Sequence, residues 1–202
     1  KILNLEITEI NISSRSQFLN IIKEKNIFDP FIPILEHNDS MIMGTNILFH
    51  LINLKFHHLP PILDQFFKND KIRQQEMWFD INFFHDVYKL SVYERTLKFI
   101  YTKDIMVNME NIKQGQKNQM LYLSKLEELF TTQCWINDNF SINDITCFSH
   151  LAALDYFGQI VWIRFPNLKK WYSRMKSNNQ YNFILNKKIH INPVSYYNNF
   201  DF

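Results

Sequence analysis

The sequence predicts a small α/β unit followed by an all-helical domain. Three observations carry that expectation. Short apolar segments with strand-like spacing crowd the part before His57. A double proline, Pro60-Pro61, then interrupts the chain. Beyond it, the apolar stripes repeat at helical intervals. The three glycines (Gly44, Gly115 and Gly158) are also too few for an all-β chain full of tight turns.

In ILNLEITEI, Leu3, Leu5 and Ile7 alternate as residues of a strand do. An amphipathic stretch over residues 18–22 follows. FIPILEH and MIM are short and apolar, like buried strands, with Asn-Asp-Ser between them as a hairpin turn. GTNILFHLI reads as a helix opening at Gly44 or Thr45. Residues 1–56 therefore make the α/β unit. Residues 57–68 are expected to be a linker, since prolines break helix interiors. Residues 69–188 make the helical domain, and residues 189–202 an extended tail in which tyrosines and phenylalanines stand among asparagines.

Within the helical domain, Ile72, Phe79, Phe83, Val87, Leu90, Leu97 and Ile100 mark one face of a long helix. Met120, Leu123, Leu126, Leu129 and Phe130 form a second stripe, and Ile145, Phe148, Ala152 and Tyr156 a third. The third helix has a complete start signal. Ser141 and Asp144 have the spacing of a capping box, Phe140 and Ile145 that of a hydrophobic staple, and Gly158 supplies a left-handed end. Its apolar surroundings place this helix at the centre of the domain.

An apolar content of 46%, with 16% aromatics, indicates a packed chain rather than a disordered one. A formal charge of +2 gives no reason to expect nucleic acid or an anionic membrane as partner. No apolar run reaches the roughly 18 residues of a membrane span, and no signal peptide is visible. Cys134 and Cys147 lack metal-type spacing and are expected to be buried, reduced thiols of a cytosolic protein. His57-His58 has no carboxylate or thiol at ligand spacing, so no metal is expected there. Glu76 and Asp80 read as surface charges beside Arg73, Asp155 as a carboxylate bonded to local backbone, and Trp162 and Trp171 as core.

Phe165-Pro166, Leu168, Trp171, Arg174 and Met175, following the Ser141–Asp144 box, resemble the C-terminal helical domain of the glutathione S-transferase superfamily. FIPILE resembles that family's segment in which a cis-proline, here Pro33, precedes the third strand of a thioredoxin-like domain. The resemblance implies a thioredoxin-like domain at residues 1–56 that lacks its first strand and helix, a truncated copy beginning at Lys1. The residue that activates the glutathione thiol belongs to the missing part, so no residue of this chain is assigned a catalytic role. A vestigial glutathione site would comprise the backbone of Ile32, Pro33 and Thr45. Gly44 and Thr45 stand where transferases carry an acidic-Ser pair, so the acidic partner of the glutathione amine is absent.

The match extends to the superfamily's FzlA-type branch, transferase-like dimers that bind the tubulin-like division polymer FtsZ. Trp78, Phe79, Glu94, Arg95 and Lys98 in the long helix resemble that branch, as do Leu154, Asp155, Tyr156 and Trp162, and the closing Asp201-Phe202. The resemblance implies a cytoplasmic homodimer that binds FtsZ without catalysis or cofactor. It assigns partner contacts to Ile12 (where the branch carries a Trp), Arg15, Trp78, Glu94, Arg95, Asp201 and Phe202. Two alternatives stand beside it: a glutathione-dependent transferase whose active residue lies upstream, and a degenerate gene product. For the tail, docking on a partner and packing on its own domain remain open.

Overall fold

The computed structural model describes residues 7–28, 33–44, 47, 50, 60–98, 102, 106–181, 184–186 and 192–199. The first part combines helix α1 (Arg15–Glu24) with an antiparallel hairpin of β1 (Ile34–His37) and β2 (Ser40–Met43). The pairs Ile34–Met43 and His37–Ser40 bracket the hairpin. Asn38 and Asp39 turn it with φ of 47° and 61°, the left-handed pair that a two-residue hairpin turn needs. Residues 47 and 50 are helical. The strand expected at Leu3, Leu5 and Ile7 lies largely outside the described residues, and Ile7 itself is exposed without regular structure.

The linker expected over residues 57–68 is corrected in its second half. Helix α2 (Pro61–Lys68) starts at the second proline. Pro61 occupies the first helical position, where a missing N–H removes no bond and the fixed φ already suits a helix. The Leu63 and Asp64 N–H groups both donate to the Pro60 carbonyl at 2.9 Å.

A long rod follows. Helix α3 (Asp70–Met77) runs into a segment wound with i→i+5 bonds (Trp78–Tyr93) and ends in the turn Glu94–Thr96. Phe79, Phe83, Val87 and Val92 are its buried hydrophobics, spaced by four, four and five, wider than the 3.6-residue α turn. The expected face therefore shifts. Leu90 and Leu97 are only half-buried while Ser91 and Val92 face the core, and Ile100 lies outside the described residues.

Helix α4 (Met109–Thr132) packs on this wide segment and on helix α6 (Pro166–Ser177). Gly115 permits the closest approach. A Cβ there would lie 3.0 Å from Leu90 Cβ and 3.2 Å from the Leu90 backbone carbon. The α4 face also differs from expectation: Met120 is exposed and Gln119 is buried in its place.

Helix α5 (Ile142–Tyr156) is central, touching α2, α3 and the wide segment. Cys147, Phe148, Leu151 and Leu154 are sealed inside it. The capping box at its start is present, with the Ser141 N–H donating to Asp144 Oδ2 at 3.0 Å. Gly158, at φ 63°, turns the chain after it. Cys147 is buried as expected, whereas Cys134 is exposed. Trp162 and Trp171 are core residues, stacked on Tyr172 at 4.7 Å and on Phe130 at 4.9 Å.

The tail is not extended over residues 192–199. Residues 195–198 form a turn, and Val194 N–H donates to the Tyr156 carbonyl at 3.1 Å. Tyr197 is buried edge-on against Tyr156 at 5.0 Å. Tyr197 thus completes the helical core. Its burial removes apolar ring surface from water.

Candidate functional site

At the amino end of α1, Ser14 is the N-cap, and its hydroxyl accepts the Gln17 N–H at 3.3 Å. The Gln17 side-chain oxygen accepts the Ser13 N–H at 2.9 Å, so the turn carrying Ile12 and Arg15 is pinned on both sides. Ile12 and Arg15 are half-buried. Across the hairpin base, the Gly44 N–H donates to the Pro33 carbonyl at 3.0 Å. Pro33 is exposed there. Ile32, Thr45, Asp201 and Phe202 lie outside the described residues, as do His57 and His58.

The long rod separates the remaining candidates. Trp78 and Glu94 are sixteen positions apart on it. Trp78 is half-buried and held edge-on by Phe79 and Tyr122, each at 5.0 Å. Tyr122 is fixed in turn by donating to Asp86 at 2.5 Å, a bond that with burial pushes its hydroxyl up to about 12.

Glu94 is buried and faces inward. It accepts from Lys98 Nζ and from the Asn108 N–H, both at 2.8 Å, and Lys98 also reaches the Met106 carbonyl at 2.8 Å. Burial alone would raise its carboxyl, but these bonds and Asn111 hold it below the usual range. Glu94 therefore ties the end of the rod to the start of α4. Arg95 beside it is exposed, so of this pair only Arg95 faces solvent.

Three carboxylates form polar nodes inside the helical domain. Asp144 accepts from the Ile136 and Ser141 N–H groups and from Trp171 Nε1 at 3.1, 3.0 and 3.1 Å. Burial nevertheless raises its carboxyl, with these bonds pulling the other way. Asp155 does not bond local backbone as expected. It accepts from Trp162 Nε1 at 2.7 Å, Tyr172 Oη at 3.1 Å and Lys176 Nζ at 3.3 Å. Burial raises Asp155 and lowers Lys176, each against their mutual attraction.

Glu76 corrects the surface reading in the same way. It is half-buried against α5, accepting from Thr146 Oγ1 at 2.5 Å and from Asn143 Nδ2 at 3.3 Å. Burial, with the Asp80 charge adding to it, pushes its carboxyl up to about 7 despite those bonds. Asp80 itself is exposed, as expected. His150 lies among Phe79, Phe83 and Tyr88, and burial lowers it to about 4, so it is neutral at pH 7. Burial also raises the Cys147 thiol well above its usual value, which makes it a poor nucleophile.

The signal for Glu76 stood in the sequence. It is four residues after buried Ile72, on the same helical face. Lys176 offered no such signal, because its partners lie 21 and 23 positions away. Among the described residues, no group of three or more His, Cys, Asp or Glu could hold a metal ion, and no helix is long and apolar enough to cross a membrane.

No protein-family model matches the chain. Over 132 residues it is 27% identical to FtsZ-localized protein A of Caulobacter vibrioides (strain NA1000 / CB15N), covering 64% of this chain. The chain spans 58% of that relative's length. A solved glutathione S-transferase from Sinorhizobium meliloti 1021 superposes with a TM-score of 0.71 at 23% identity, covering 93% of this chain and 84% of the other. One from Rhodospirillum rubrum F11 gives 0.69 at 25% identity, covering 93% and 83%. FzlA from C. crescentus gives 0.67 at 22% identity, covering 84% and 76%.

Proposed function

We propose, for a chain with the glutathione S-transferase fold, a non-catalytic role in bacterial cell division through binding of FtsZ filaments. The likeness to FtsZ-localized protein A over 132 residues carries this reading. Ile12 and Arg15 at the amino end of α1, with Trp78 and Arg95 on the rod, form the contact surface. Trp78 serves as the rigid aromatic anchor, because neighbouring rings already hold it and little rotamer freedom is lost on docking. Glu94 ties the turn that carries Arg95 to the start of α4. Asp201 and Phe202 extend the surface. The protein acts in the cytoplasm as a homodimer, so that one particle meets two filament sites and gains from their linkage. Co-pelleting with assembled FtsZ tests the reading: enrichment above the unpolymerised control supports it, and background recovery rejects it.

A second reading is favoured by the two transferase neighbours at TM-scores of 0.71 and 0.69. Under it, Ile32, Pro33 and Thr45 hold glutathione, and the thiol-activating residue lies upstream of Lys1. Conjugation of an electrophile by a chain extended to include that segment supports this alternative; a rate no higher than that of glutathione alone in buffer rejects it.

A further inference from the structure

His37 closes β1 beside the Asn38-Asp39 turn, and His50 is a helical residue thirteen positions further on. Their rings meet, with His37 Nδ1 and His50 Nε2 3.2 Å apart. Both residues are half-buried, so neither is sealed from water. The pair stands at the turn end of the hairpin, opposite the Pro33–Gly44 bond at its base.

Two neutral imidazoles can share one proton across this gap, and either nitrogen can be its donor. The remaining geometry is not that of a straight N–H···N bond. The ring centres are 5.1 Å apart, with the planes at 63°. Nitrogens pointing straight at each other would hold the ring centres farther apart than this, at 3.2 Å plus one ring radius on each side. The two lone-pair axes are therefore bent off their common line, whereas a hydrogen bond prefers that line. A third atom beside the line suits the bend. An ion with bonds of about 2.0–2.1 Å to both nitrogens would hold them at roughly 100–105°, near the tetrahedral angle.

The donor set selects the ion. Imidazole nitrogens suit zinc, copper or nickel, whereas magnesium and calcium take oxygen ligands. Both facing nitrogens must offer lone pairs, so the ring protons move to His37 Nε2 and His50 Nδ1, and the neutral pair loses none. Glu36 lies on the other face of the strand and is paired with Lys25 at 2.7 Å. No third His, Cys, Asp or Glu among the described residues joins the two rings, so water completes the coordination.

We propose that His37 and His50 form a two-histidine site for a divalent transition-metal ion, with zinc the best fit, which clasps the hairpin to the helical residue beyond it. The site does not depend on the FtsZ reading.

The test titrates zinc chloride into the 15N-labelled full chain while the imidazole nitrogens are followed, and repeats the titration with calcium chloride. The proposal expects His37 Nδ1 and His50 Nε2 to shift together and saturably with zinc, with the protons found on His37 Nε2 and His50 Nδ1. Calcium should change neither. His37→Gln should weaken the zinc response of His50 by at least about tenfold, because a single imidazole loses the gain of a second linked donor. His50→Gln should do the same to His37. If either variant does not fold, joint saturation and the proton positions in the unaltered chain decide. A zinc response at only one of the two nitrogens or at neither, an equal response to calcium, or full zinc affinity in a folded variant overturns the proposal.

Discussion

Asp155 and Lys176 form an ion pair with no solvent exposure on either side chain, at 3.3 Å. Lys176 also donates to the Asn199 carbonyl at 3.0 Å and lies 5.2 and 5.4 Å from the Tyr172 and Tyr197 ring centres. One ammonium thus joins α5, α6 and the C-terminal segment. Removing it strands a buried carboxylate, which costs far more than the pair itself contributes. Lys176→Met should lower unfolding stability by about 3–5 kcal/mol at pH 7, read by urea denaturation. Asp155→Asn combined with Lys176→Met should recover part of that loss. A single variant within 1 kcal/mol of the original would mean that Asp155 is already neutral in the folded state.

Glu76 gives a pH signature with a definite sign. Its folded value, about 7, lies above the ordinary 4.5, so the folded state holds this proton more tightly than the unfolded one. The contribution is fully present below about pH 4.5 and is lost as pH rises through about 7. The largest loss such a shift implies is about 3 kcal/mol. Glu76→Gln cannot ionise, so its stability should fall less over that window than the original's. Parallel stability-versus-pH curves for the two proteins would reject the assignment.

Gly158 carries two constraints at once. Its φ of 63° disfavours any side chain, and a Cβ there would meet Val194 Cγ1 at 2.7 Å. Gly158→Ala should therefore cost about 1–3 kcal/mol. It should also loosen residues 192–199, seen as faster proteolytic clipping near the C-terminus. Unchanged clipping would contradict a role for Gly158 in seating residues 192–199.

The α5 cap separates a local signal from a distributed one. Ser141→Ala should cost about 1 kcal/mol, the usual value of a lost cap. Asp144→Ala should cost more, about 3 kcal/mol, because Ile136 N–H and Trp171 Nε1 also lose their acceptor. Equal losses in thermal or urea unfolding would contradict the distributed role of Asp144.

These cases show what could be read beforehand. The Ser141–Asp144 box and the Asn38-Asp39 turn were legible because their physics is confined to four residues. Pro61 was misread because a proline breaks a helix only in its interior, and sequence alone did not say which proline came first inside. Met120 and Gln119 exchanged roles because the close contact of Gly115 with Leu90 sets the phase of α4, a tertiary fact. The tail was ambiguous for the same reason: Tyr197 finds Tyr156 and Lys176 only in three dimensions. Of the candidate contact residues, Glu94 turned inward because its partners Asn108 and Asn111 come from the next helix.

Binding to FtsZ is tested most directly by comparing co-pelleting of the unaltered protein with Arg95→Glu and Glu94→Gln variants, alongside their urea stabilities. The account predicts that the unaltered chain pellets with polymer and that Arg95→Glu loses at least about tenfold in recovery, with stability unchanged within about 0.5 kcal/mol. Glu94→Gln should lose stability instead. Recovery of the unaltered chain no greater with polymer than without it would contradict the proposed role.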